Sequence, residues 1–140
     1  MILLDTSGLL AAIDASQRAH AAARDALAAA EGPLLLSPFV LAELDHLLAS
    51  RVGLSAELAL LAEVERGAYR LEPMAADDVG RARELVERYR DLDLGLADAS
   101  IVVLASRHST WEVLTLDERH FRAFRGPHGQ VFTVLPSRAG

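Results

Sequence analysis

Short apolar runs alternate with helical stretches along the whole chain, and this alternation restricts the fold more than any other feature. Residues 1–4, 34–36, 69–72, 112–116 and 131–135 read as strands, with 69–72 stopped by Pro73 as an edge. Between them, 9–14, 17–30, 38–52, 55–65, 77–90, 99–105 and 118–124 read as helices. Parallel neighbours can be joined only by a crossover, and a helix is the usual one. The expected class is therefore α/β, a parallel sheet with helices on both faces.

The local signals agree with that pattern. Ser37-Pro38 marks a helix start, followed by Phe39, Val40, Leu44, Leu47 and Leu48 at helical spacing and closed by Gly53. Leu58, Leu61, Ala62 and Glu65 recur at threes and fours, as do Val79, Ala82, Leu85, Val86 and Tyr89 on an otherwise charged stretch. Residues 99–105 are apolar nearly all round, which marks a buried helix. Thr6-Ser7-Gly8 reads as a turn that can cap the helix beginning at Leu9.

Composition sets outer bounds. At 140 residues and 51% hydrophobic, the chain suffices for a single domain over 1–140, with a frayed tail at about 136–140. The start Met1-Ile2-Leu3-Leu4-Asp5 has no basic flank and no segment is long and apolar enough for a span, so a cytoplasmic protein with no membrane contact is expected. With no cysteine, disulfides, thiolate catalysis and sulfur-ligated zinc are excluded, leaving carboxylate and imidazole as the strong side-chain metal ligands. All 14 basic residues are arginine, which removes P-loop and Schiff-base chemistry and the lysine of receiver domains. A net charge of −6 argues against a general nucleic-acid coat but not against a nuclease, since clustered acids supply negative charge that divalent cations reverse locally.

Four acids stand out. Asp5 ends the first strand run, and Asp117 follows Val113-Leu114-Thr115-Leu116. In open α/β sheets, strands deliver functional groups at their carboxyl ends. Glu43 falls in the first two turns of its helix, and Asp98 near the start of the buried one, so both can reach that edge. Two carboxylates about 4 Å apart repel by about 4 kcal/mol at an effective dielectric of about 20, so converging acids call for a cation.

The segments Asp5-Thr6-Ser7, Pro38-Phe39-Val40-Leu41-Ala42-Glu43-Leu44, Leu96-Ala97-Asp98-Ala99-Ser100-Ile101 and Leu114-Thr115-Leu116-Asp117-Glu118-Arg119-His120-Phe121 together resemble the PIN-domain family. More closely, they are similar to the VapC-type toxin ribonucleases of type II toxin–antitoxin systems. The resemblance covers nearly the whole chain. It implies a PIN-like three-layer α/β/α sandwich with a central parallel sheet. It also implies a divalent-metal-dependent endoribonuclease that hydrolyses RNA phosphodiester bonds with metal-activated water, using Mg2+ or Mn2+. The partners it implies are an RNA substrate, a cognate VapB-like antitoxin and a second toxin chain in a homodimer. Asp5, Glu43, Asp98 and Asp117 then form the catalytic and metal-binding set, with Asp5 and Asp98 as the leading direct ligands.

Other residues carry two readings each. Thr6, Ser7 and Thr115 either orient water or a carboxylate from behind the ligands, or make ordinary turn and strand bonds. Asp93 either joins Asp98 or caps the following helix, and the turn context favours the cap. Arg119 and Arg122, with His120 and Arg125 beside them, either hold RNA phosphates or form an exposed basic face that meets the antitoxin; His120 is not expected among the metal ligands. The apolar stripe of 55–65 and the alanine-rich 17–30 either dock partners or pack within the monomer. A catalytically silent PIN module for RNA or protein binding is the competing function, but its mark is a lost acid and none is lost here. A receiver or phosphatase domain is a third reading, but the chain lacks the lysine of the first, and Asp5-Thr6-Ser7-Gly8 lacks the second aspartate of the other.

Overall fold

The computed structural model describes residues 1–137. Five strands, β1 (Ile2–Leu4), β2 (Leu34–Leu36), β3 (Arg70–Leu71), β4 (Glu112–Leu114) and β5 (Thr133–Leu135), form one sheet in the order β3-β2-β1-β4-β5. Every neighbouring pair is parallel. Seven helices connect them: α1 (Thr6–Ile13), α2 (His20–Ala29), α3 (Pro38–Arg51), α4 (Leu54–Glu65), α5 (Ala76–Arg88), α6 (Leu96–His108) and α7 (Glu118–Ala123). The result is the expected three-layer α/β/α sandwich.

Leucine-rich strands occupy the middle because both sheet faces are covered. Ile2, Leu3, Leu4, Leu35, Leu36, Val113 and Leu114 are each at most 2% exposed, and side chains of this size contribute about 1.5–3 kcal/mol apiece when fully buried. α6 is buried from Ala97 to Ala105 apart from Asp98, as its continuous apolar run requires. It packs on α5, α3 and β1, while α1 packs on α2 and α3.

Several boundaries differ from the sequence reading in ways that matter to function. Thr6-Ser7-Gly8 is the first turn of α1 rather than a capping turn before it. Gly8 makes this possible, because a Cβ there would run into the Leu114 carbonyl of β4. Ser37 does cap α3, accepting from Phe39 N at 3.1 Å. α6 starts at Leu96 rather than Ala99, so Asp98 lies in its first turn. α2 starts at His20, and β5 at Thr133. Of the frayed tail expected at about 136–140, residues 138–140 lie outside the described residues. Among the described residues no helix is long and apolar enough to cross a membrane.

Candidate active site

The register of the two central strands builds the first half of the site. Leu4 pairs with Leu114, so the next residues along, Asp5 and Thr115, emerge side by side at the carboxyl edge of the sheet. Asp5 occupies the backbone N-cap position of α1, yet its side chain makes no capping bond. Instead Asp5 Oδ2 accepts from Thr115 Oγ1 at 2.6 Å and from Ser7 Oγ at 3.2 Å. The two hydroxyls lie 3.2 Å apart, and each accepts a backbone N–H from the far strand's exit: Leu116 N at Ser7 Oγ and Asp117 N at Thr115 Oγ1, both 2.9 Å. Ser7 and Thr115 thus bond the Asp5 carboxylate and make turn and strand bonds to the backbone at the same time.

Asp98 enters from the first turn of α6, where the helix dipole favours negative charge. Asp117 starts α7 and uses one oxygen as a cap, Oδ1 accepting from His120 N at 3.3 Å. Its other oxygen, Oδ2, lies 2.9 Å from His120 Nδ1, and the same ring nitrogen lies 3.1 Å from Asp98 Oδ2. One ligating atom from each of Asp98, Asp117 and His120 falls within 4.8 Å of the others. Glu43 approaches from an exposed face of α3. All four expected acids line a single cleft of about 300 Å3.

The electrostatics record the crowding. Burial first, and then the Asp98 charge, push the Asp5 carboxyl up from 3.8 to about 7, against the opposing bonds from Thr115, the Thr6 backbone and Ser7. Asp98 is also raised, chiefly by burial, with His120 opposing and Asp117 adding repulsion. The carboxylates are thus held where ionisation costs free energy, an arrangement a cation relieves. Beside them, the buried Thr6 hydroxyl lines the cleft and has no hydrogen-bond partner among the described residues. Three carboxylates, an imidazole and an unspent hydroxyl fit a hard divalent cation that keeps part of its water shell.

Some sequence expectations fall outside this cluster. Asp93 is exposed with φ at 51°, closes a 3-10 turn over Arg90–Leu92, and does not line the cleft. The favoured reading of it as a cap for α6 is not realised, since Gly95 holds that position without a side-chain capping bond. Arg119 and Arg122 are exposed on α7 and do not line the cleft either, and Arg122 Nε pairs with Glu118 at 3.3 Å. Among the described residues, the cation that lines it is Arg51.

Two residues of the site carry no clear signal in the sequence: His120, which contacts two acids of the cleft, and Arg51, which lines it. His120 was placed with the neighbouring arginines, although it stands three residues after Asp117 and therefore on the same helix face. Arg51 stands eight residues after Glu43, again on one face of one helix, with Leu47 between them in the lining.

Comparison with known proteins bears on the family and the fold. The family model described as PIN domain matches residues 2–126. The chain is 46% identical over 135 residues to Ribonuclease VapC26 of Mycobacterium tuberculosis, spanning 96% of this chain and all of that protein. Among solved structures, it is similar to M. tuberculosis VapC20, described as a sarcin-ricin loop cleaving toxin, with a TM-score of 0.78 and 26% identity over 84% of this chain and 90% of that one. FitAcB from Neisseria gonorrhoeae shares the fold, with a TM-score of 0.54 and 20% identity over 81% and 85% of the two chains.

Proposed function

This chain belongs to the PIN domain family, and we propose that it is a cytoplasmic, divalent-metal-dependent endoribonuclease, the toxin of a VapBC-type toxin–antitoxin pair. One observation carries the reading: Asp5, Glu43, Asp98 and Asp117 come from four separate parts of the chain and line one cleft. The strong likeness to a ribonuclease over nearly the full length supports the same chemistry.

In this reading Asp5, Asp98, Asp117 and His120 would hold a magnesium or manganese ion, with Glu43 completing the set directly or through water. Such an ion, when bound, offsets negative charge on the phosphate and lowers the pKa of the water that attacks it. The chain's own groups supply the rest. Thr115 and Ser7 fix the Asp5 carboxylate in one orientation. The Thr6 hydroxyl offers a free donor and acceptor to water in the cleft. His120 Nδ1 lies within reach of both the Asp98 and the Asp117 carboxylates, at 3.1 and 2.9 Å, and so holds the two acids together. Arg51 brings a positive charge to the cleft lining, suited to a phosphate next to the cut bond.

The antitoxin part of the proposal rests on α4. Leu54, Leu58 and Leu61 are 66%, 55% and 40% exposed at helical spacing, leaving an apolar stripe that a VapB-like helix or a second toxin chain in a homodimer would cover.

The relative that cleaves the sarcin-ricin loop makes a ribosomal RNA fragment bearing that loop the first substrate to try. Cleavage is expected with Mg2+ or Mn2+, none with EDTA, and none by Asp5→Asn or Asp98→Asn, whose circular dichroism stays native. Cleavage that survives in EDTA, or in both variants, overturns the proposal.

A further inference from the structure

The chain is acidic overall, yet arginines edge one of its grooves. Arg81 and Arg88 of α5, together with Arg125 just beyond α7, line a groove of about 200 Å3 whose lining includes Val102 and Val103 of α6. A second hollow shares Arg81, Val103 and Ser106 with it and adds Arg107, so the two are continuous. A single carboxylate, that of Asp78, pairs with both Arg81 and Arg107, at 3.2 and 2.9 Å. Among the described residues Arg88 and Arg125 have no carboxylate partner. Arg125 Nη1 donates instead to the carbonyls of Arg122 and Phe124, at 2.7 and 2.9 Å. Those bonds tether the guanidinium without neutralising it. Glu84 is the acid on the first groove's own wall.

Position indicates what this charge is for. Asp98, Val102 and Ser106 stand four residues apart on α6 and so share one face of it. Ser106 lies about 12 Å along the helix axis from Asp98. The groove thus lies along the same helix that supplies one of the acids of the cleft. The connection is also local on the other side, where Phe124, the residue before Arg125, lies 6.4 Å from the His120 ring.

We infer that this groove is a phosphate-binding site beside the cleft, which grips the backbone of the RNA away from the bond that is cut. The inference rests on the ribonuclease reading above. Guanidinium groups suit phosphate because their forked donors match its oxygens. Contacts of this kind position a strand without reading its sequence. An acidic peptide offers similar charge but gives no reason for the groove to share a helix face with the metal-type acids. A polymer with one phosphate at the cut and others farther along does.

The test compares wild type with the double variant Arg88→Gln/Arg125→Gln, using a labelled single-stranded RNA of about 20 nucleotides. In EDTA, where cleavage stops, the double variant is expected to bind about tenfold more weakly at low salt, with the slope of log affinity against log salt reduced by about 1.4. With Mg2+ its KM rises by a similar factor while kcat is kept, which shows an intact cleft. Glu84→Gln moves affinity the opposite way. Unchanged affinity and KM in the double variant, or a fall in kcat alone, overturns the groove while wild-type cleavage leaves the ribonuclease reading standing. A wild type that neither binds nor cleaves RNA overturns both. Capture of a polyglutamate peptide that the double variant loses, with RNA binding unchanged, overturns the groove in favour of an acidic protein partner.

Discussion

Replacing Asp5 with Asn is expected to stabilise the metal-free protein at neutral pH while destroying its activity. Asp5 is 3% exposed, and burial followed by the charge of Asp98 pushes its carboxyl from 3.8 to about 7. Between those values the folded chain holds a proton that the unfolded chain has released. Stability therefore falls as pH rises through that window, because it changes with the difference in protons bound by the two states. The advantage of the neutral carboxyl is complete below about pH 3.8 and gone above about pH 7. At about 1.4 kcal/mol for each tenfold difference in proton affinity, the window is worth about 4 kcal/mol. Asn has the same shape, keeps an oxygen for the Thr115 hydroxyl and has no proton to lose. In urea denaturation with EDTA present, the variant is expected to match wild type near pH 4 and to exceed it by up to about 4 kcal/mol near pH 8. Asp98, raised in the same direction, leaves a shallower slope of the same sign. Millimolar Mg2+ reverses the ranking, since a ligand that binds only the folded site stabilises wild type and not the variant. A variant no more stable than wild type near pH 8, or one retaining the full wild-type slope, refutes the view that the fold raises the proton affinity of Asp5 at a cost to stability above neutral pH.

Three further perturbations probe separate parts of the site. Thr115→Val removes the 2.6 Å donor to Asp5 and the acceptor for Asp117 N; it should cost about 1.5–3 kcal/mol in thermal unfolding, and the pH at which cleavage rises should move upward. An unchanged pH–rate profile would leave Thr115 a purely structural role. His120→Ala should weaken Mn2+ binding by about 10- to 100-fold in titration calorimetry, and wild-type affinity would remove it from the metal site. Gly8→Ala drives a Cβ into the Leu114 carbonyl and should lower stability by about 1–3 kcal/mol, so an unaffected melting temperature would contradict the close packing of α1 on β4.

The strand-end acids were legible because an apolar run closed by a carboxylate is a local signal, and Asp5 and Asp117 both carry it. Their common destination followed from the alternation of elements. What stayed hidden depends on contacts between distant parts of the chain. Nothing near residue 5 indicates that its carboxylate will be gripped by a hydroxyl 110 positions away. The early start of α1 depends on Gly8 fitting against a strand that is formed by residues 112–114. His120 is hard to read because its neighbours in sequence are arginines, whereas its neighbours in space, Asp98 and Asp117, are set by the packing of α7 near α6. Asp93 shows the opposite error, since a turn acid before a helix looks like a cap, but the 3-10 turn leaves its side chain outside.

The topology explains why the cost of so many acids can be borne at this place. The chain leaves β1 toward β2 on one side, and β4 later fills the other, so the crevice between the connections opens beside the carboxyl ends of β1 and β4. There the backbone is still held by the ladder, with Asp5 N bonded to the Leu114 carbonyl at 3.0 Å, while the side chains already face the cleft. The buried leucines behind supply stability, and the first exposed turn in front supplies function. Because alternate strand residues face opposite helix layers, a slip of one residue between β1 and β4 would part Asp5 from Thr115 and send the strand's leucines to the wrong layers of the sandwich together. The same register that secures the core therefore aims the carboxylate, so a misaligned site is excluded along with the misfolded sheet.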